Sequence, residues 1–288
     1  MSKSHLNIKQ ITCVQVEEIQ AMVSNALLED SINEGDITAN LIPIDRVFTV
    51  QVLTREDMLL SGSQWVDEVF RQVDNTVVLE WGYKDKDFIK ANEVIFKATG
   101  RARSILSAER TALNFLQMLS GTATYTASLV KLISHTTCSL LDTRKTIPGF
   151  RLAQKYAVYC GGGNNHRIGL HDAFLIKENH INAVGSISKA IGQAKSLFPE
   201  KLIEVEVESL LELKEGLNAK ADVIMLDNFS NKDKSEAVRY VNGRAQLEAS
   251  GNVNEETIVG IAETGVDFIS VGSLTKNIKA IDLSMRFI

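Results

Sequence analysis

The stretch LIEVEVESLLELKEGLNAKADVIMLD, residues 202–227, places a helical pattern between two short apolar runs. This arrangement predicts a strand, a helix and a second strand. The rhythm recurs from about residue 113 to about residue 280, with the strand candidates CSLLD, AFLIK, AQLEAS and DFISVG and the helical candidates SISKAIGQAKSLF and NEETIVGIAETG. Such alternation predicts parallel strands joined by right-handed crossovers.

The length of this segment determines which parallel fold we expect. A complete eight-stranded barrel usually needs about 250 residues, and the alternating segment is shorter. We therefore predict an α/β protein whose C-terminal part is an incomplete, TIM-like α/β barrel. An open doubly wound sheet is the alternative, although no G-x-G-x-x-G motif follows a strand here.

The N-terminal region has a different pattern, in which one helix precedes several strands. VEEIQAMVSNALLED has helical spacing, whereas RVFTVQVLTRED, TVVLEWGYK and EVIFKATGRA read as strands between charged or glycine turns. SAERTALNFLQMLSG then predicts a helix that begins at its N-cap Ser107 and ends at Gly121, and a second helical segment covers residues 125–133. We predict an N-terminal α+β sandwich domain at residues 1–112, completed by 280–288, and the barrel at 113–279.

The composition of the 288-residue chain argues against several classes of protein. Its formal net charge is −5, so nucleic acid is not an expected partner. Three cysteines without a CxxC spacing predict neither a disulfide framework nor a thiolate zinc site, and fit a reducing cytoplasm. Because the N-terminus lacks an apolar signal core and no run of about eighteen apolar residues occurs, we expect a soluble cytoplasmic protein without a membrane segment.

Polar residues and glycines follow the predicted strands at the ends where parallel barrels build their active sites. A single polar residue at a strand end is weak evidence for a functional site, because every short strand must end in a polar residue. The ends of parallel strands meet at one mouth, however, so we expect the whole set to line a common site. Its members are Arg144, Lys145, Lys177, Glu206, Asp227, Ser250, Gly251, Gly272 and Ser273.

The strand IEVEVE has the most informative alternation. Its period of two puts the apolar residues on one face and Glu204, Glu206 and Glu208 on the other. Carboxylates inside a barrel lumen are costly unless cations or a metal ion neutralise them. An edge strand with one solvated face is the alternative. The available counter-charges are Lys145, Lys177 and Arg167.

Two further features indicate what the site binds. His166 and Arg167 precede the AFLIK strand, and the pattern leaves open whether His166 is structural or catalytic; the five histidines lack the spacing of a metal site. Small residues after the last two strands precede helix starts, where backbone N–H groups can hold a phosphate, although plain turns would look the same. A phosphate pocket, a cationic cluster and an acidic wall suggest two substrates, one phosphorylated and one an organic anion.

Several motifs of this chain resemble those of the quinolinate phosphoribosyltransferase family. They are, in order, EGDIT, SAERTALNFLQMLSG, LDTRKTIPG, YCGGGNNHRIGLHDAFLIKENHI, EVEVE, IMLDN, EASG and SVGSLT. The resemblance implies an N-terminal α/β sandwich joined to an incomplete α/β barrel. It also implies transfer of the phosphoribosyl group of phosphoribosyl pyrophosphate (PRPP) to quinolinate, which gives nicotinate mononucleotide, pyrophosphate and carbon dioxide in NAD biosynthesis.

The resemblance also implies roles for individual residues. Arg110 is expected to reach the partner's site in a homodimer, and Lys276 takes a position where some relatives carry histidine, so a cation is retained. Catalysis beside PRPP is assigned to Lys145, Glu206 and Asp227, of which the two acids also hold Mg²⁺. Quinolinate is assigned to Arg144, His166, Arg167 and Lys177, with Thr143 as a further substrate-binding residue. Phosphate binding is assigned to Ser250, Gly251, Gly272 and Ser273.

Three other interpretations stay open at this point. A related phosphoribosyltransferase could use nicotinate or another base without decarboxylation, and would need fewer cations around the base. A Schiff-base barrel aldolase would use Lys177 as its nucleophile, because such enzymes also place a lysine at a strand end. A non-enzymatic phosphosugar-binding protein is the third, although plain binding does not require carboxylates in the lumen.

Overall fold

The computed structural model describes residues 10–30, 33 and 35–288, so Glu34 of the EGDIT motif lies outside the described residues. The chain forms two compact units, each assembled from separate stretches of sequence. The sheet unit contains residues 11–127, 147–162 and 277–288. The barrel unit contains residues 128–146 and 163–276, together with Gln10.

The described part of the chain contains ten α-helices and twelve strands. The helices are α1 Val16–Glu29, α2 Ser63–Val73, α3 Ala102–Leu132, α4 Arg151–Cys160, α5 Glu178–Val184, α6 Ile187–Leu197, α7 Leu210–Asn218, α8 Asn231–Val241, α9 Ile258–Ala262 and α10 Ser273–Lys276. The strands are β1 Val47–Thr54, β2 Met58–Leu59, β3 Val78–Trp81, β4 Phe88–Ile89, β5 Val94–Arg101, β6 Ser139–Leu141, β7 Phe174–Ile176, β8 Ile203–Val207, β9 Val223–Asp227, β10 Gln246–Ser250, β11 Phe268–Ser270 and β12 Leu283–Phe287.

The sheet unit is built on an antiparallel sheet with the strand order β12, β1, β5, β3. β1 is rich in β-branched residues, which favour the extended backbone, and its Val50 and Val52 are buried. The last strand of the chain, β12, pairs with β1 from Val50 opposite Phe287 to Thr54 opposite Leu283. Residues from both ends of the sequence therefore share one sheet.

The long helix α3 corrects the prediction of two helices separated at Gly121. Ser107 is not its N-cap, because the helix already begins at Ala102 and the Ser107 hydroxyl donates to Asp36. Gly121 continues the helix, and a Cβ at this position would lie 2.2 Å from the carbonyl oxygen of Lys279. The glycine therefore permits a close backbone approach. The predicted domain boundary between residues 112 and 113 falls inside this helix and stays a prediction.

The barrel unit confirms the predicted parallel α/β architecture. Its strands pair in the order β6, β11, β10, β9, β8, β7, and every pair in the described sheet is parallel. Helices α6, α7 and α8 each begin after a serine whose hydroxyl accepts a backbone N–H of the first turn; such N-caps supply partners for otherwise unpaired donors. Among the described residues, no helix combines the length and the apolar character needed to cross a membrane.

Candidate active site

The register of the parallel strands brings the predicted acidic residues to one face of the sheet. Paired residues in neighbouring strands project to the same side, and alternate residues along one strand do too. Glu206 and Glu248 both pair with Met225, and Ser250 pairs with Asp227 two residues further along β9. This shared face is therefore lined by the carboxylates of β8, β9 and β10.

The three glutamates of β8 have different surroundings. Glu204 is buried and Glu206 is half-buried, whereas Glu208 follows the last residue of the strand and is exposed. The prediction of lumenal carboxylates is thus correct for Glu204 and Glu206 and wrong for Glu208, because the strand ends one residue earlier. Each of the two inner carboxylates meets a cation or a histidine from another segment.

Lys177 is the cation that meets Glu206. It follows β7, its ammonium group forms an ion pair with the Glu206 carboxylate, and its backbone N–H donates to Nδ1 of His180 at 3.1 Å. Lys177 is also the N-cap residue of α5. Its backbone is therefore anchored at a helix start while its side chain extends over the carboxyl end of the sheet.

Asp227 is held by two donors at the end of β9. The Ser250 hydroxyl donates to Oδ1 at 2.6 Å, and the side-chain amide of Asn228 donates to Oδ2 at 2.9 Å. Gly251 has a φ of +92°, and a Cβ there would lie 2.1 Å from Oδ1 of Asn228. A glycine is required at this turn, because both its backbone angle and the close approach exclude a side chain.

A cavity of about 400 Å³ opens beside this turn. Gly251 and Asn228 contribute to its wall, as does the buried Lys234 of α8, whose ammonium group donates to the carbonyl oxygen of Phe229. Burial lowers the pKa of Lys234. The cavity has both polar and apolar walls, and it lies next to two residues that the resemblance assigns to phosphate binding.

The loop after β6 carries Thr143, Arg144 and Lys145. The Thr143 hydroxyl accepts the backbone N–H of Lys145 at 3.0 Å, and the Thr275 hydroxyl of α10 donates to the Lys145 carbonyl oxygen at 2.8 Å. Gly272 lies against the Lys145 stem, since a Cβ there would be 3.1 Å from its Cδ. The loops after β6 and β11 are therefore interlocked, and they fix the backbone of Lys145.

Ser273 and Lys276, which were also predicted to belong to the site, lie in α10 directly after Gly272. Ser273 begins α10, and its hydroxyl oxygen is buried with no hydrogen-bond partner among the described residues. Lys276 ends α10 and is exposed.

Arg144 and Arg167 form the cationic part of the site. Nε of Arg144 is buried and has no hydrogen-bond partner among the residues that the structure describes. Arg167 donates from Nη1 to the carbonyl oxygen of Ala173 at 3.2 Å. Burial, followed by the charge of Arg144, lowers the pKa of Arg167, whereas Glu204 and Asp172 act in the opposite direction. Two guanidinium groups thus act on each other electrostatically, as expected in a site that binds a multiply charged anion.

His166 points away from solvent and into a cluster of buried acids. Its Nε2 lies 2.9 Å from Oε2 of Glu204 and 3.5 Å from Oε2 of Glu248, and all three residues are buried. On the other side of the ring, Nδ1 accepts the backbone N–H of Arg167 at 2.8 Å. The backbone N–H of His166 itself donates to Asp142 at 2.8 Å. His166 therefore has structural contacts on both ring nitrogens.

Protonation in this cluster follows from burial and from the hydrogen bonds. Burial acts to lower the pKa of His166, whereas the charges of Glu204 and Glu248 act to raise it. A second ring proton would have to sit on Nδ1, facing the Arg167 N–H, so we assign the ring proton to Nε2 alone. Burial, then the charge of Glu204, raises the pKa of Glu248 to about 8. Glu248 accordingly carries a proton at neutral pH.

The structure adds two residues that the sequence-based prediction did not include. Glu248 lies inside QLEAS, where its alternation with Gln246 and Ser250 marks the same sheet face as Glu206. Asp142 closes β6 and accepts both the His166 N–H and, at 2.7 Å, the side-chain amide of Asn165. The alternation of Gln246, Glu248 and Ser250 with the apolar Leu247 and Ala249 was the available sequence signal for Glu248.

Arg110 lies in the sheet unit, on helix α3. Its side chain is exposed, in agreement with its helical position away from the apolar face of α3. It stands one turn after Ser107, which is bonded to Asp36 of the EGDIT motif at 3.0 Å.

Comparisons with known proteins agree with this description. Models of the N-terminal and C-terminal domains of quinolinate phosphoribosyl transferase match residues 36–120 and 122–286. A nicotinate-nucleotide pyrophosphorylase of Francisella tularensis has a similar structure, with a TM-score of 0.96, 55% identity and coverage of 98% of this chain and 100% of that one. The probable carboxylating nicotinate-nucleotide pyrophosphorylase of Bacillus subtilis is 37% identical over 93% of both chains. The chloroplastic carboxylating enzyme of Arabidopsis thaliana is 38% identical over 93% of this chain and 82% of its own length.

The parallel barrel, with cations and carboxylates collected at its strand ends, defines an α/β-barrel transferase acting on anionic substrates. The chain belongs to the quinolinate phosphoribosyltransferase family. The resemblance drawn from the motifs is therefore confirmed. The aldolase and the non-enzymatic sugar-binding interpretations are rejected.

Proposed function

We propose that this protein transfers the phosphoribosyl group of PRPP to quinolinate and releases pyrophosphate and carbon dioxide, forming nicotinate mononucleotide for NAD biosynthesis. One arrangement supports this function most strongly. The charge of Arg144 acts on Arg167 at the strand ends of the barrel unit, and the Arg144 Nε is buried with no hydrogen-bond partner among the described residues. A substrate with two adjacent carboxylates supplies the missing acceptors.

Quinolinate binding follows from the charges of these groups. Its carboxylates occupy neighbouring ring positions, and planar guanidinium groups bind carboxylates through two parallel hydrogen bonds. Arg144 and Arg167 take these carboxylates, and the Lys177 ammonium adds a positive charge beside them. Nicotinate has only one carboxylate, so it would leave one of the buried cations without a counter-charge, at a cost that disfavours binding.

The PRPP side is assigned to the acids of β8 and β9 and to the glycine turns. Glu206 and Asp227 face the ribose, and Ser250, Gly251, Gly272 and Ser273 supply hydroxyl groups and backbone N–H groups for phosphates. The cavity beside Gly251 provides room for a phosphate group. Lys145, held by Thr143 and Thr275, contributes the cation that faces PRPP, and the exposed Lys276 adds a second one near the same loop.

Magnesium fits the donor set at these strand ends. Mg²⁺ prefers oxygen ligands and is usually held by one or two carboxylates together with substrate phosphates. Glu206 and Asp227 are half-buried carboxylates on one sheet face, and both would hold the ion in the presence of PRPP. When bound, Mg²⁺ neutralises negative charge on the leaving pyrophosphate.

The chemistry assigns distinct tasks to the acidic and basic residues. When the pyridine nitrogen forms its bond to C1 of the ribose, the bond from C1 to pyrophosphate breaks and positive charge develops on the sugar. The carboxylates of Glu206 and Asp227 stabilise that charge. The ring formed in this step is a pyridinium ion, whose positive nitrogen stabilises the electron pair left on the neighbouring carbon when the carboxylate leaves as carbon dioxide, and that carbon then takes up a proton from water to give nicotinate mononucleotide. No separate decarboxylation cofactor is needed.

We further propose that the protein acts in the cytoplasm as a homodimer with shared sites. The loop around the EGDIT motif exposes Ile37, Leu41 and Ile44 to 85, 84 and 73%. Neighbouring apolar side chains of this kind are typical of a protein interface. Arg103 of α3 fixes the loop through the carbonyl oxygen of Ile42 at 2.7 Å. The apolar surface and Arg110 thus belong to one anchored region of the sheet unit.

The proposed reaction is tested by following PRPP-dependent loss of quinolinate together with release of carbon dioxide. We expect both to occur at equal rates and to require a divalent cation, with no nucleotide formed when nicotinate replaces quinolinate. Nucleotide formation from nicotinate at a comparable rate would favour the alternative phosphoribosyltransferase. Absence of any PRPP-dependent quinolinate loss would contradict the proposal.

A further inference from the structure

The segment between α4 and β7 is held at several points before it delivers Arg167 to the site. Asn164 forms a bridge with Leu141 of β6, and Asp142 binds the backbone N–H of His166. The His166 ring lies between the Glu204–Glu248 pair on one side and the Arg167 N–H on the other. The two acids therefore contact the same ring that determines the position of the Arg167 backbone.

We propose that Glu204 and Glu248 are positioning residues for Arg167 and act through the imidazole of His166. The ring is a rigid link between the barrel interior and the backbone of the substrate-binding arginine. Its Nε2 lies 2.9 Å from Oε2 of Glu204, while its Nδ1 accepts the backbone N–H of Arg167, so rotation of the ring would break both contacts. The inference rests on the proposed role of Arg167 in quinolinate binding.

The cluster of His166, Glu204 and Glu248 also has the residue types of a metal site. The donor atoms of His166, Glu204 and Glu248 lie within 4.8 Å of one another. The Arg167 N–H occupies the lone pair of Nδ1, however, which leaves the ring proton on Nε2. A metal ion would need the lone pair of that second nitrogen. The hydrogen bonds therefore favour a clamped histidine over a metal ligand.

The charges around Arg167 support the same positioning role for Glu204 and Glu248. Arg167 stands close enough to Arg144 for the two guanidinium groups to repel each other, and Glu204 counteracts that repulsion. Glu204 thus supplies both an acceptor for the ring and a buried negative charge near the paired arginines. Glu248 reaches the ring from β10 and prevents its displacement away from Glu204.

The experiment compares two substitutions of Glu248 that differ in hydrogen bonding. Glu248→Gln keeps a polar oxygen beside Nε2 at this position, whereas Glu248→Leu removes it with little change in volume, and both variants retain Glu204. Quinolinate and PRPP are titrated separately by calorimetry into the full-length variants. Glu236→Leu, at an exposed position of α8, is the control for exchanging a glutamate for leucine. Arg167→Ala serves as the reference for losing the arginine itself.

We expect Glu248→Leu to weaken quinolinate binding at least about tenfold, because small misplacements of a binding group have effects of this size. Glu248→Gln and Glu236→Leu should stay within about twofold of the wild type, and PRPP affinity should change little in all three. The KM for quinolinate should rise in the Leu variant while the KM for PRPP does not.

Several outcomes would overturn the inference. Unchanged quinolinate binding in Glu248→Leu, equal losses in the Gln and Leu variants, or equal losses for quinolinate and PRPP would each contradict a positioning role. If the Leu variant does not fold, His166→Asn provides the test, because asparagine keeps an acceptor near the Arg167 N–H but cannot reach the acids. Unaltered binding in that variant would also overturn it. If Arg167→Ala itself binds quinolinate normally, the proposed role of Arg167 is what fails.

Discussion

Arg144 and Arg167 lie within range of each other's charge, and part of each side chain is removed from solvent. Such an arrangement is costly without an anion, since like charges in a partly desolvated site repel one another. The ligand therefore supplies part of the neutralising charge. This explains why an acidic protein concentrates cations at one mouth of its barrel.

Removal of either arginine should weaken quinolinate binding far more than it changes folding. For Arg144→Ala and Arg167→Ala we expect a loss of about 2–5 kcal/mol, because a carboxylate in the pocket is left underpaired. Calorimetric titration of quinolinate without PRPP measures it. Arg239→Ala, at an exposed position of α8, is the matched control. Wild-type affinity in both site variants would refute the assignment.

Asp227 should affect turnover rather than quinolinate binding. Its carboxylate is held by Ser250 and Asn228 and faces the PRPP side of the proposed site. Asp227→Ala should therefore lower kcat by a factor of about 10² or more, as expected when a charge-stabilising group is lost, while quinolinate still binds in the absence of PRPP. Steady-state kinetics and a binding titration distinguish the two effects. Parallel losses in kcat and in quinolinate affinity would argue against this division.

Glu248 should make the stability of the folded protein depend on pH. Its pKa of about 8 in the folded state exceeds its ordinary value of 4.5, so the folded state binds a proton more tightly than the unfolded state. This contribution to stability is complete below about pH 4.5 and is lost as the pH rises through about 8. The groups facing it are Glu204 from β8, His166 from the segment before β7 and Ser270 from β11.

The pH effect is measured with Glu248→Gln, which cannot titrate. The Tm of the wild type should fall relative to the Tm of this variant as the pH rises from about 5 to about 8. A constant difference in Tm across that range would contradict the raised pKa. Glu236→Gln, on the exposed face of α8, should follow the wild type throughout.

At the scale of single elements, replacing two helical glycines with alanine should have opposite effects on the stability of the folded protein. In α3, a Cβ at Gly121 would meet the Lys279 carbonyl oxygen at 2.2 Å, so Gly121→Ala must displace the backbone before β12. We expect a destabilisation of about 1–3 kcal/mol. In α6, a Cβ at Gly192 meets nothing within 4 Å, so Gly192→Ala should be neutral or stabilising by up to about 1 kcal/mol. Urea unfolding compares both, and equal effects would be inconsistent with the backbone contact.

The same elements show what could be predicted from the sequence. The alternation of strands and helices predicted the parallel barrel and placed Lys177, Glu206 and Asp227 at strand ends, because the period of each segment is local information. Gly121 was interpreted as a helix end, since its partner at Lys279 lies in a distant segment. The contact of His166 with Glu204 and Glu248 was missed for the same reason: it joins three separate stretches of chain.

At the scale of the whole molecule, the homodimer is the main prediction. Arg110 is exposed on α3, so Arg110→Ala should leave the stability within about 0.5 kcal/mol of the wild type. If Arg110 completes the partner's anion site, this variant should be a stable but inactive dimer. Mixing it with the inactive Lys145→Ala variant should restore activity, because each heterodimer then contains one site with both residues intact.

Subunit exchange must be established before this mixture is interpreted. Native mass spectrometry of the two variants, one of them isotopically labelled, reports the fraction of heterodimer. Activity should rise in proportion to that fraction. Exchanged heterodimers without activity would show that Arg110 does not act across an interface.

The pairing of β12 with β1 has a consequence for the order in which the protein is made. Synthesis proceeds from the N-terminus at about 5–20 residues per second, so β1 leaves the ribosome long before its partner at residues 283–287 exists. Until then β1 presents an open edge with unpaired N–H and carbonyl groups, which favours aggregation. All strands of the barrel unit precede β12 in the chain. We therefore expect the barrel to gain structure during translation while the unit that begins the sequence is completed last, with its nascent edge as a natural target for chaperones.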